Sequence, residues 1–102
     1  DSAAESRRYL ELKELSDKGV ITGLEMQKRF CIIPKVGKER EAVYIADFYY
    51  IDENGMTIVE DVKSPATAKD KVFILKRKLM LWQYPDLVFR IVMSSKNGWI
   101  YK

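Results

Sequence analysis

Apolar residues first recur at helical spacing, over residues 3–18. There Tyr9, Leu12 and Leu15 form one stripe in a segment rich in Leu, Glu, Lys and Arg, and Gly19 closes it. The period then shortens to two. Leu24, Met26, Phe30 and Ile32 share a parity across a predicted strand at 24–33, ended by a loop with Pro34 and Gly37. A second strand is predicted at 42–51, dense in Tyr, Ile, Val and Phe, then a turn at 52–55 and a third strand at 56–63 that Pro65 stops. A second helix is expected over 67–83, ending before Pro85. A fourth strand at 87–93 and a short apolar end at 99–101, joined through Asn97-Gly98, read as a hairpin. The order α-β-β-β-α-β-β predicts an α+β fold, a mixed α/β sandwich, built as one domain over residues 1–102.

Composition narrows the chemistry more than the fold. The chain has 102 residues, 47% hydrophobic and 32% charged, the profile of a compact domain. It contains no histidine, which excludes Ser-His-Asp and Cys-His hydrolysis, HNH-type nuclease chemistry and His-ligated zinc. The single cysteine, Cys31, forms neither an internal disulfide nor a zinc cluster; it reads as a small buried hydrophobe in a reducing, cytoplasmic setting. No apolar run approaches the ~20 residues of a membrane span, and no signal peptide is visible. The first residue, Asp1, is not Met, so a few residues are expected to have been trimmed. Chemistry must then come from carboxylates, Lys, Arg, Tyr or Ser.

The carboxylates fall at pointed places. Glu5 projects into the apolar stripe of the first helix, where it needs a partner or a metal, or else sits in the first turn, favours the helix dipole and points to water. Asp47 and Asp61 lie on successive strands, and the turn decides whether they meet. A two-residue Asn54-Gly55 turn would pair Glu53 with Met56 and turn Asp61 away. A type I turn with a G1 bulge pairs Asp52 with Met56, suits Asp52, Asn54 and Gly55, and stands Asp47 opposite Asp61 with Lys63 on the same face. The bulged register is the expected one. Two opposed carboxylates call for a cation, which is either Lys63 in a salt bridge or a hard divalent metal with oxygen ligands, Mg²⁺ first. Glu60 falls on the opposite face, solvated, or serves as the alternate carboxylate if the register differs.

Ala46-Asp47-Phe48 followed by Glu60-Asp61-Val62-Lys63 resembles the bipartite signature of the PD-(D/E)XK nuclease superfamily, whose restriction-endonuclease-like core has the order α-β-β-β-α-β. Glu5 matches the first-helix acid of its Holliday-junction-resolvase-like branch. Ala46 stands where Pro is usual, and Ser64-Pro65 where Gly is often found. The stretches Arg8-Tyr9-Leu10-Glu11-Leu12, Leu24-Glu25-Met26-Gln27, Tyr44-Ile45-Ala46-Asp47-Phe48 and Leu75-Lys76-Arg77-Lys78-Leu79 are similar to a family of small phage proteins within it. The resemblance implies a metal-dependent DNA endonuclease, structure-directed and resolvase-like, in phage recombination or replication inside a bacterial host. It implies Asp47, Asp61 and the Val62 carbonyl as ligands of Mg²⁺, with Mn²⁺ able to substitute. Glu5 would complete the site and Lys63 would orient and help deprotonate the attacking water. A homodimer on branched DNA follows, with an exposed apolar sheet face or the 99–101 end as interface. A non-catalytic DNA-binding or assembly module, and a nickase or exonuclease using the same site, are the alternatives.

The net charge of +3 tolerates nucleic acid without demanding it. Lys69, Lys71, Lys76, Arg77 and Lys78 crowd the second helix and are the expected phosphate contacts, or else solvated charges at the rim of a largely buried helix. Gln27 and Arg29 share a parity and are expected to reach the site or the DNA. Tyr44, Phe48 and Tyr50 are expected together on the face opposite Asp47, as core or dimer surface, and Tyr9 in the core.

Overall fold

The computed structural model describes residues 2–102; the start of the chain at Asp1 lies outside the described residues. Helix α1 (Ser2–Asp17) is followed by strands β1 (Thr22–Ile33), β2 (Ala42–Ile51) and β3 (Thr57–Val62). Helix α2 (Lys71–Gln83), strand β4 (Val88–Ser95) and strand β5 (Gly98–Tyr101) complete the α-β-β-β-α-β-β order. The strands form one sheet in sequence order, antiparallel except for β3 and β4, which α2 joins as a parallel pair. Helix α1 covers one face, packing Ala4 and Leu12 against Phe48, Tyr50, Ile58, Val62 and Val92. Helix α2 covers the other, packing Phe73 and Met80 against Phe30, Tyr44, Val59 and Phe89. No helix among the described residues is long and apolar enough to cross a membrane.

The turn between β2 and β3 takes the bulged form. The Asp52 N–H donates to the Met56 carbonyl at 2.9 Å, and the Gly55 N–H to the Asp52 carbonyl at 3.0 Å. Gly55 holds a left-handed φ of 80°, and the Asp52 carboxylate accepts the Asn54 and Met56 N–H groups, both at 2.9 Å. This fixes the pairing of Tyr50 with Ile58 and Phe48 with Glu60.

Two expectations about faces need correction. Leu24 packs under α1, whereas Phe30 and Ile32 pack under α2, although all share a parity. In β2, likewise, Phe48 and Tyr50 face α1 while Tyr44 and Ala46 face α2. The switch coincides with Gln27, whose φ is 53°, and with the end of the β2–β3 pairing at Phe48. A left-handed residue rotates the ribbon, so strict alternation no longer keeps one face against one layer. From here toward its turn, the β1–β2 ribbon leaves the sheet as a two-stranded arm.

Helix α2 also differs from expectation. Residues Thr67–Lys69 form a single 3₁₀ turn, and α2 begins after Asp70, whose carboxylate accepts the Phe73 N–H at 2.9 Å. Asp70→Ala is expected to cost about 1 kcal/mol, read from urea unfolding, because it strips this N-cap. The helix is not largely buried. Only Phe73 and Met80 are buried, and Val72, Ile74, Leu75 and Trp82 stand exposed, because one sheet face covers one helix stripe and no other element lies outside it. The sheet is covered by α1 on one side and α2 on the other over its buried clusters, whereas Met26, Ile33 and Ile45 of the β1–β2 ribbon stay exposed. Trp99 is engaged within the chain, its indole N–H donating to Glu11 at 2.9 Å. Cys31 is a free thiol, half-buried instead of buried.

Candidate active site

Four elements converge where the arm leaves the sheet. Asp47 stands opposite Asp61 by the register of the bulged turn. The last backbone pair of the ladder is Phe48 with Glu60; beyond it the Asp47 carboxylate accepts the Val62 N–H at 2.8 Å. Asp61 is only 4% exposed. The Tyr44 hydroxyl donates to its Oδ2, and Lys63 Nζ lies 3.3 Å from its Oδ1. The Lys63 ammonium also sits over the Phe73 ring, 4.5 Å from its centroid, which holds it near the strand end. From the first turn of α1, the half-buried Glu5 accepts the side-chain N–H of Gln27 at 3.2 Å. The left-handed backbone at Gln27 is thus part of the site.

The electrostatics are those of carboxylates short of positive charge. Burial, and then the neighbouring Asp47 charge, push the Asp61 carboxyl up to about 6, against the opposing pull of Tyr44 and Lys63. Burial and Asp47 also raise Glu5, with Lys63 opposing. Burial and the Asp61 charge drive the Tyr44 phenol far upward, so it remains a donor. The sign for Asp61 is that of an acid protonated more readily when folded. The metal-free protein is expected to lose up to about 3 kcal/mol of stability as pH rises from about 4 to about 6, and Asp61→Asn should flatten that loss. Urea midpoints across pH 3.5–7.5 in EDTA test this, with ~0.5 unit steps sufficient.

Among the described residues no three Asp, Glu, Cys or His side chains already form a metal cage. The donors nevertheless suit a hard divalent cation. They are oxygens only: Asp61 pairs with the Lys63 ammonium, and the Asp47 carboxylate, which accepts the Val62 N–H, adds a second negative charge beside it. The ion pair expected as the alternative to a metal is present, as Asp61–Lys63.

Glu60 is neither solvated nor an alternate ligand. It is fully buried on the α1 face, where Arg8 binds it in a fork: Nε to Oε1 at 2.8 Å and a terminal nitrogen to Oε2 at 2.7 Å. Tyr50 donates its hydroxyl to the same carboxylate and Arg90 approaches to 3.5 Å. The rings of Trp99 and Tyr101 flank the Arg8 guanidinium at 5.6 and 5.1 Å. Sequence reading missed Arg8. The available signal was its position between Ala4 and Leu12 at i, i+4 spacing, a cation in a buried stripe facing a strand acid.

The expected phosphate contacts divide. Lys76 lines a hollow of about 320 Å³ with Asp61, Lys63 and Tyr44. Lys69, Lys71 and Lys78 are exposed. Arg77 is turned inward over Phe89, 5.6 Å from its centroid, with its Nε buried and unpaired. Of the β1 pair, Gln27 reaches the site, whereas Arg29 lines a separate hollow along the arm. Tyr9 packs partly buried beside a cleft of about 400 Å³ that Glu5, Gln27, Met26 and Phe48 also line.

No curated protein and no solved structure matches the chain. A family model described as a protein of unknown function, DUF1064, matches residues 1–98, and the chain belongs to that family.

Proposed function

We propose that the protein is a divalent-metal-dependent DNA endonuclease, with the Asp47–Asp61–Lys63 constellation as its catalytic centre. The observation that carries the reading is the meeting of two strand carboxylates and a strand-end lysine, with a third acid from α1 close by, all in oxygen-only chemistry. Asp47, Asp61 and the Val62 carbonyl would hold Mg²⁺ or Mn²⁺, which when bound would supply charge neutralisation at the scissile phosphate and a more acidic water. Tyr44 fixes the rotamer of Asp61 through its hydroxyl. Glu5, steadied by Gln27, adds a further acceptor at the α1 side. Lys63 keeps its ammonium beside Asp61, where it orients the attacking water and stabilises charge as it develops on the phosphate. So small a domain has little surface for reading bases, which favours backbone- or structure-directed cutting, resolvase-like on branched DNA. Two scissile phosphates on a junction ask for two copies, and the exposed α2 residues Ile74, Leu75 and Trp82 offer an apolar surface for pairing.

A cation bound to the folded state alone raises stability by about 2.7 kcal/mol at a hundredfold excess over Kd. Calorimetry with Mg²⁺ or Mn²⁺ is expected to show a rise in Tm for the wild type that Asp47→Asn and Asp61→Asn lose. Cleavage assays on labelled linear duplex, single-stranded and four-way-junction DNA test the activity and order its substrates. The junction is expected to be cut fastest. Tight binding of the same DNAs without any strand scission in Mg²⁺ or Mn²⁺ would favour the non-catalytic binding module.

A further inference from the structure

The sequence places its basic residues in two separated segments, one beginning at Lys63 in the site and the other extending away from it along the β1–β2 arm. Residues 29–41 and 63–78 together contain ten Lys and Arg against three Asp and Glu, while the remainder contains eight against twelve. The second segment leads into and includes most of α2, the expected phosphate-binding element. The first is the tip of the β1–β2 arm. Its end is ordered: Val36 and Glu39 exchange backbone hydrogen bonds of 3.1 and 2.8 Å around Gly37, whose φ is 56°. Arg29, Lys35, Lys38 and Arg40 line one hollow of about 720 Å³ along this arm against a single carboxylate, Glu41, and among the described residues none of the four cations takes part in an ion pair. Val43 lines both that hollow and the one containing Asp61, Lys63 and Lys76, so a continuous surface joins the site to the arm.

We propose that the β1–β2 arm is a phosphate-binding element, forming with the start of α2 the two walls of a trough for a DNA backbone. This rests on the nuclease reading for the identity of the polyanion. Charge complementarity carries the assignment: four unpaired cations on an ordered ribbon suit a regular array of phosphates and read no sequence. The arm also sets a reach. Nine residues separate Lys38 from Asp47. At ~3.3 Å per residue they span at most about 30 Å, or about nine base pairs at ~3.4 Å each. Arg29, opposite Ile45, contacts the backbone nearest the site, and Lys38 the farthest.

The test measures binding of a labelled 30-base-pair duplex by fluorescence anisotropy in EDTA, where no cleavage is needed, across a series of NaCl concentrations. The variant Lys35→Gln/Lys38→Gln/Arg40→Gln is compared with wild type, with Asp61→Asn and with Lys69→Gln/Lys71→Gln. The slope of log K against log salt is expected to fall by about 2.7 in the arm variant, at ~0.9 per lost phosphate contact, with affinity down at least tenfold and an unchanged melting curve. Wild-type affinity and slope in the arm variant would overturn the proposal. So would a wild type that binds phosphatidylserine vesicles but no duplex. Weakened binding by the arm variant alongside a wild type that cuts nothing would leave the arm standing and remove the nuclease reading. Normal binding by the arm variant, with cleavage lost only in Asp61→Asn, would do the reverse.

Discussion

Glu60→Ala is expected to lower stability by about 3–5 kcal/mol, a large part of the 5–15 kcal/mol typical of a single domain. Glu60 is fully buried and accepts the Arg8 fork, the Tyr50 hydroxyl and a long contact from Arg90. Removing it leaves the Arg8 guanidinium, itself 2% exposed, with Glu11 at the edge of the cluster as its one remaining ion-pair partner among the described residues. The loss therefore comes from a stranded buried charge more than from the attraction of the pair. Two further variants separate these terms. Arg8→Met should be costly alone for the mirror reason, and Arg8→Met/Glu60→Gln should recover much of the loss, because it removes both buried charges together. Urea unfolding followed by circular dichroism gives the cycle. Additive losses would mean that the two side chains are energetically independent, contrary to their bidentate geometry.

Lys63→Ala is expected to reduce DNA cleavage by about 10²–10⁴-fold while leaving DNA affinity in EDTA within a few-fold of wild type. The ammonium lies at the end of β3, 3.3 Å from Asp61 and over the Phe73 ring, so its loss removes one charge from the reacting region and leaves the strands intact. A purely structural lysine would give a different result. Stability would fall with activity, and Lys63→Arg would restore both. In the catalytic role, Lys63→Arg keeps stability but recovers cleavage poorly, because a planar, delocalised guanidinium lacks the compact point charge of an ammonium. Single-turnover cleavage and thermal melts of the three proteins distinguish the cases.

The residues differed in how openly they announced their places. Asp52, Asn54 and Gly55 determined a turn type, and the turn type determined the opposition of Asp47 and Asp61, because a bulge is a local decision with a long-range consequence. Element order was legible for the same reason: periodicity, Gly19, Pro34, Pro65 and Pro85 are local signals. Face assignments failed at Gln27, because nothing in a Gln side chain advertises a left-handed backbone and one such residue rotates everything beyond it. The helix expected from residue 67 starts at Lys71, because residues 67–69 close a separate 3₁₀ turn and Asp70 caps α2. Arg8 and Glu60 were hidden because each alone reads as surface charge. Their burial follows from α1 lying across β3, a packing fact that no window of sequence contains.

One measurement bears most directly on the carboxylate–lysine centre: strand scission of a labelled four-way junction by the wild type and by Asp61→Asn, each with Mg²⁺ and with EDTA. The wild type is expected to cut in Mg²⁺ only. Asp61→Asn is expected not to cut, yet to remain folded and, in EDTA above about pH 6, to be more stable than the wild type, because the asparagine relieves a carboxylate held charged against its raised pKa. Equal cutting by both proteins, or cutting that persists in EDTA, would contradict it.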